Sequence, residues 1–140
     1  MAALATNRNT VKKDASLYAL GVGAGQKIFQ GALVCRNATG KAVKGATATT
    51  LKALGRALSF ADNTSGADDA MTVQYESGCF KWANSAAGDL ITTADIGNDC
   101  FIVDDQTVAK TNGGATRSRA GIVDSIDADG GVWVLTGVQY

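Results

Sequence analysis

Clusters of Gly, Asn, Asp, Ser and Thr break this chain into short pieces, and that punctuation is the strongest constraint on its fold. A turn signal falls about every 8–12 residues, the spacing of a β-sandwich or barrel. The breaks draw on 17 glycines and no proline. Between them lie short apolar runs at 16–20, 27–29, 32–36, 41–43, 71–76, 79–83, 100–103, 119–126 and 132–138. The run at 71–76 alternates Met71, Val73 and Tyr75 against Thr72, Gln74 and Glu76, as a half-buried strand does. Residues 79–83 are expected to pair with it across Ser77-Gly78. Residues 37–40 read as a hairpin loop, and 119–126 with 132–138 as a closing hairpin around Asp127–Gly131.

Two segments invite a helical reading. In 50–60, Leu51, Leu54 and Leu58 fall at i, i+3 and i+7, but Gly55 interrupts the run and the flanks are strand-and-turn sequence. Context favours a strand, because propensity is a weak prior. Residues 93–97 read as a single helical turn, capped by Thr93, favoured at its start by Asp95 and ended by Gly97. The expectation is an all-β chain of about 8–10 short strands, residues 15–140, preceded by residues 1–14 without periodicity. That leading stretch reads as a frayed terminus or as an extended arm ordered by a partner.

Hydrophobic residues make up 46% of 140 positions, much of it Ala, so the core is expected to be thin and part of the stability to come from a partner. No charged-then-apolar leader opens the chain and no apolar run approaches a membrane span, which points to a soluble protein made inside a cell. Cys35, Cys79 and Cys100 each sit in an apolar run, so reduced, buried thiols are expected. The net charge of zero conceals an asymmetry. Residues 1–60 hold nine basic side chains against one acid, and residues 61–140 hold four against twelve. Either strands from the two halves interleave and neutralise one another, or the surface is bipolar and docks on complementary neighbours. Bulk nucleic-acid binding is not expected.

Most catalytic chemistry lacks its residues. There is no histidine, which removes Ser-His-Asp and Cys-His sites and His-ligated metals. Gly21-x-Gly23-x-Gly25 lacks the third glycine of a dinucleotide fingerprint, and Gly40-Lys41 has Cys35 where a phosphate loop needs glycine. In a calcium-loop frame with Gly130 sixth, Ser125 stands first and Thr136 stands where a bidentate Glu is required. Asp104 and Asp105 are adjacent and point to opposite faces of a strand, so they do not act together on one glycosidic bond. Phe80 and Trp82 share a face, as do Phe101 and Val103, with core packing favoured over sugar stacking. Asn37-Ala38-Thr39 and Asn63-Thr64-Ser65 match the glycosylation sequon without a secretory signal to give it meaning.

Several motifs resemble those of the small decoration, or cement, proteins on the capsids of tailed bacteriophages. They are Asn7-Arg8-Asn9-Thr10; Gly78, Phe80, Trp82, Asn84 and Ser85; Ala94–Gly97; Val103-Asp104-Asp105-Gln106-Thr107-Val108-Ala109-Lys110-Thr111; Arg117-Ser118; Ala120-Gly121; and Asp127–Val134. The likeness covers nearly the whole chain, is strongest from Gly78 to Val134, and is most like the cement proteins of short-tailed phages. It implies a jelly-roll-like β-sandwich without catalytic residues or cofactors. It also implies binding to the outer surface of an icosahedral head, where the protein staples neighbouring major capsid proteins. Self-association as a homodimer at two-fold positions is the favoured implication, with a trimer as the alternative. Candidate interface residues are Arg8, Asn9, Lys12, Lys13 and Tyr18, the basic arm reaching across a capsomer boundary. The competing expectation is a virion-surface carbohydrate-binding or host-attachment module that uses Trp82, Trp133 or Tyr140 as stacking rings.

Overall fold

The computed structural model describes residues 2–13 and 16–137. Its strands are β1 (Leu17–Gly21), β2 (Lys27–Ile28), β3 (Leu33–Arg36), β4 (Ala42–Lys44), β5 (Lys52–Ala57) and β6 (Ala61–Asp62). They continue with β7 (Thr72–Glu76), β8 (Gly78–Asn84), β9 (Asp99–Ile102), β10 (Thr107–Ala109), β11 (Arg119–Ile126) and β12 (Val132–Thr136). Two single-turn 3₁₀ helices, Ala87–Asp89 and Thr93–Asp95, lie between β8 and β9. The chain is therefore all-β. Very short elements such as β6 and β10 carry the count past the expected range.

The strands form an antiparallel five-stranded sheet ordered β1-β7-β5-β3-β4, a small closed barrel ordered β10-β8-β12-β11-β9, and a β2-β6 ribbon. Two apolar cores result. The barrel core holds Trp82, Ile91, Cys100, Ile102, Val108, Val123, Val132 and Val134, and it also receives Leu33, Cys35, Val43 and Ala53 from the open sheet. The second core holds Val22, Ile28, Val34, Ala42, Ala57, Val73 and Tyr75. Strand β3 thus sends Leu33 and Cys35 one way and Val34 the other, all three fully buried. That is why its sequence is continuously apolar rather than alternating. Burying each such aliphatic side chain contributes about 1.5–3 kcal/mol.

The ambiguous segment is a strand, and its leucines share no face: Leu51 packs on the barrel core, Leu54 on the second core, and Leu58 follows the strand. β5 pairs with β3 as Leu33↔Arg56 and Val34↔Gly55, then slips to Cys35↔Ala53, leaving Leu54 as the extra residue. The slip reverses the in–out phase, so Ala53 faces the barrel core while Leu54 and Ala57 both face the second core. One inserted residue thus lets Leu54 and Ala57, three apart in the chain, face the same core.

The pairing expected between 71–76 and 79–83 does not form. β7 is already flanked by β1 and β5, so no side of it is free for β8. At Ser77-Gly78 the chain instead passes from the open sheet into the barrel, where β8 pairs with β12 and, in parallel, with β10. The helical turn at Thr93–Asp95 is present, but its cap is Thr92 rather than Thr93. Thr92 Oγ1 accepts from the Ala94 N–H at 3.3 Å, and Asp95 Oδ2 accepts from the Thr92 N–H at 2.8 Å. Gly97 ends the turn with φ +89°.

The transfer at Ser77 depends on close backbone contact. Gly55 has φ +154°, and a Cβ built there would lie 1.9 Å from the Glu76 carbonyl oxygen. Gly137, with φ +110°, would place one 2.5 Å from the Leu54 carbonyl oxygen. Gly55→Ala is expected to cost about 3 kcal/mol or more, because backbone has to move. Gly88→Ala, at a site with nothing within 4 Å, is expected to be close to neutral. Urea unfolding midpoints of the two variants measure the difference.

Candidate interaction surface

Residues 2–13 form no strand or helix, and each is exposed. The segment carries Arg8, Lys12 and Lys13 and no acid. Met1 and Asp14, the remaining members of the expected arm, lie outside the described residues. Arg8, Asn9 and Lys12 project to solvent, whereas Lys13 returns to the body with Nζ 4.5 Å from the centroid of the Tyr18 ring. Tyr18 in turn stacks on Tyr75 at 5.4 Å, and Tyr75 belongs to the second core. Lys13 and Tyr18 are therefore brought together, and the other three candidates remain on the free arm. A cation over an aromatic ring at an exposed site is worth about 0.5–1 kcal/mol, enough to bias where the arm leaves the body.

Beside this clamp lies β1, an edge strand of the open sheet. Leu17 is 57% exposed. An open depression of about 360 Å³ runs along the strand, bordered by Lys13, Leu17, Ala19, Leu58 and Gln74. Sequence reasoning singled out Tyr18 but missed Leu17 and Leu58. The two-residue period that points Tyr18 and Leu20 inward was the available signal that Leu17 points out. The same holds for Phe29, which follows the buried Ile28 and meets the Phe60 ring at a tilt, centroids 5.3 Å apart, both rings more than half exposed.

The acidic motifs have structural partners. Lys81 Nζ lies 3.0 Å from an Asp127 carboxylate oxygen and 2.7 Å from one of Asp129. The position that a calcium loop would give to a cation thus holds an ammonium group from β8. Hydrogen bonds from Lys81 hold both carboxyls below their usual range, and those bonds, Asp129 first, raise Lys81. Asp104 Oδ1 accepts the Gln106 N–H at 2.9 Å, closing an exposed turn. Asp89 is held low first by its hydrogen bond from Thr111 and then by Arg117. Among the described residues, no group of three or more Cys, Asp or Glu side chains is placed to hold a metal ion.

The aromatic and sulfur residues divide. Trp82 is buried, edge-on to Phe80 at 6.1 Å, with its indole N–H donating to Thr136 Oγ1 at 3.3 Å. It offers no open face for a sugar. Trp133 is half-buried on the outside of the barrel beside Lys81, and Tyr140 lies outside the described residues. Cys35 and Cys100 are buried and free, each pushed up to about 12 by desolvation. Cys79 corrects the expectation of three buried thiols: it points outward from β8 and is exposed. Both sequon asparagines serve the fold. Asn37 Oδ1 accepts the Thr39 and Lys41 N–H groups at 3.0 and 2.9 Å, and buried Asn63 donates to the carbonyls of Val22, Gly23 and Ala67.

No known family model, curated protein or solved structure matches this chain.

Two measurements check this surface. A thiol reagent at mildly alkaline pH is expected to modify Cys79 alone in the folded protein and all three cysteines in denaturant. For the ion triad, the folded pKa values of Asp127 and Asp129 lie below the unfolded 3.8, so the unfolded chain binds more protons on acidification. Their contribution is present above the unfolded value and is lost as pH falls through the folded ones. The stability gap between wild type and Lys81→Met is therefore expected to be flat near neutrality and to close below pH about 4.

Proposed function

We propose that this chain is a structural capsid decoration, or cement, protein of a tailed bacteriophage. It binds the outer surface of the icosahedral head and clamps neighbouring major capsid proteins against the pressure of packaged DNA. It acts without catalysis and without a cofactor, on the outer capsid surface of the virion. Its partners are the major capsid protein and further copies of itself, as a homodimer in preference to a trimer. It engages neither membrane nor nucleic acid directly.

The observation that carries this reading is a cationic, exposed arm beside a body with two packed apolar cores. Such a body presents a docking surface without reorganising, and the arm extends its reach. Each contact contributes modestly, but binding only to the assembled shell stabilises that state by mass action, and symmetric repetition adds avidity. The finer fold description, a jelly-roll-like sandwich, belongs to the same proposal. It is supported by the way β5 of the open sheet lies against β8, β11 and β12 of the barrel, with Ala53 in the barrel core. The buried position of Trp82 weighs against a sugar-stacking module.

Deleting residues 1–13 is expected to abolish binding to isolated phage heads in co-sedimentation while the circular dichroism spectrum is retained. Full binding by the truncated chain overturns the role of the arm, and failure of the intact chain to bind overturns the cement reading.

A further inference from the structure

We propose that β1 pairs edge to edge with β1 of a second copy, in one register, to form the two-fold dimer; this rests on the self-association included in the cement reading. The direction of the free backbone groups sets the surface. Ser77 N–H donates to the Ser16 carbonyl and Val22 N–H to the Met71 carbonyl, both at 2.9 Å, with Tyr18↔Tyr75 and Leu20↔Val73 in register between them. Even-numbered residues of this stretch therefore exchange hydrogen bonds with β7, and Leu17 and Ala19 point theirs away from it.

The far end of that edge is closed. Val22 bridges Ala42 of β4, and the Gly23 N–H donates to the Ala42 carbonyl at 2.9 Å. Among the described residues no strand lies beyond Leu17 and Ala19. Natural sheets protect such an edge with charge, proline or a bulge, whereas β1 reads Leu-Tyr-Ala-Leu-Gly and carries none of these.

Only one antiparallel register uses just the free positions. Leu17 of each copy faces Ala19 of the other, with the two-fold axis at Tyr18. That pairing makes roughly four new backbone hydrogen bonds and brings the two Tyr18 Cα atoms to about 4.5 Å. It covers the exposed Leu17 and continues the Tyr75–Tyr18 stack across the axis.

Charge selects a second copy as the occupant. An antiparallel neighbour carries its basic arm, with Arg8 and Lys12, past the Gly21–Ala24 end of β1. There Asp68 accepts the Ala24 N–H at 2.8 Å, and Asp68 and Asp69 together leave one negative charge beyond what their neighbour Lys41 offsets. The contact is isologous: each copy supplies one arm and one acidic acceptor.

Sedimentation equilibrium of the full chain is expected to show a monomer–dimer equilibrium across the micromolar range. Ala19→Pro removes the outward donor and leaves the β7 ladder intact, so it is expected to weaken the dimer about tenfold or more without altering the circular dichroism spectrum. In a Cys79→Ser background, Tyr18→Cys is expected to form an interchain disulfide on mild oxidation. A chain that stays monomeric overturns the proposal. So does a dimer that tolerates Ala19→Pro and fails to cross-link at position 18. Head binding is read separately with the same variants. A chain that pairs through β1 but does not bind heads supports the edge assignment and overturns the cement reading, whereas a chain that binds heads without pairing does the reverse.

Discussion

Burial of β3 on both faces is the constraint from which the rest of the architecture follows. Leu33 and Cys35 are needed by the barrel core and Val34 by the second core, and all three are fully buried. β5 and β4 flank that strand, and the barrel closes against the face that Leu33 and Cys35 present, with Ala42 and Val43 of the edge strand β4 divided between the same two cores. Neither core is large. Ala32, Ala42, Ala53, Ala57, Ala61, Ala109 and Ala120 fill many of the buried sites. Small residues let backbones approach closely, which makes glycine obligatory where backbone meets backbone, at Gly55 against Glu76 and at Gly137 against Leu54. Stability here comes from the number of close contacts between layers rather than from the bulk of any one side chain.

Local features were legible in the sequence because they depend on neighbours in the chain. The loop at Asn37–Gly40, the strand alternation of Val73 and Tyr75, the closing hairpin and the helical turn before Gly97 all need only short-range geometry and turn chemistry. What was not legible depends on distant partners. The failure of β7 to pair with β8 follows from β1 and β5 occupying both its sides, which Ser77-Gly78 does not encode. The spacing of Leu51, Leu54 and Leu58 mimicked a helix although the first two face different cores, and the bulge at Leu54 is set by the register with β3. Cys79 resembles Cys35 and Cys100 in its apolar flanks, but it falls on the outward phase of β8, next to the inward Phe80.

The candidate surface was legible in the same uneven way. Lys13 and Tyr18 could be picked out by residue type, and the structure brings them together in a stacked clamp that ends on Tyr75. Leu17 and Leu58 carry no chemical signature. Their importance is positional, since one lies on an unpaired edge and the other borders the depression beside it. Interaction surfaces built from ordinary apolar residues leave no motif, and only the topology exposes them.

The divided charge of the chain resolves into two parts with different consequences. In the body, interleaved strands neutralise much of it: Lys27, Lys41 and Arg56 from the first half meet Asp62, Asp69 and Glu76 from the second. All four basic residues of the second half also find carboxylates, through Lys81, Lys110, Arg117 and Arg119. These are surface pairs, each worth little in stability and screened by salt. The arm is different, because three cations stand among twelve described residues with no acid. Cations held outside the body's own ion pairs attract a complementary surface before contact and raise the rate of productive encounter. Persistence of the complex must then come from groups that exclude water, and beside the arm those are the backbone of Leu17 and Ala19 and the rings behind them. In the proposed dimer the segment that steers and the edge that holds are adjacent in sequence, so one short stretch from Arg8 to Ala19 serves both.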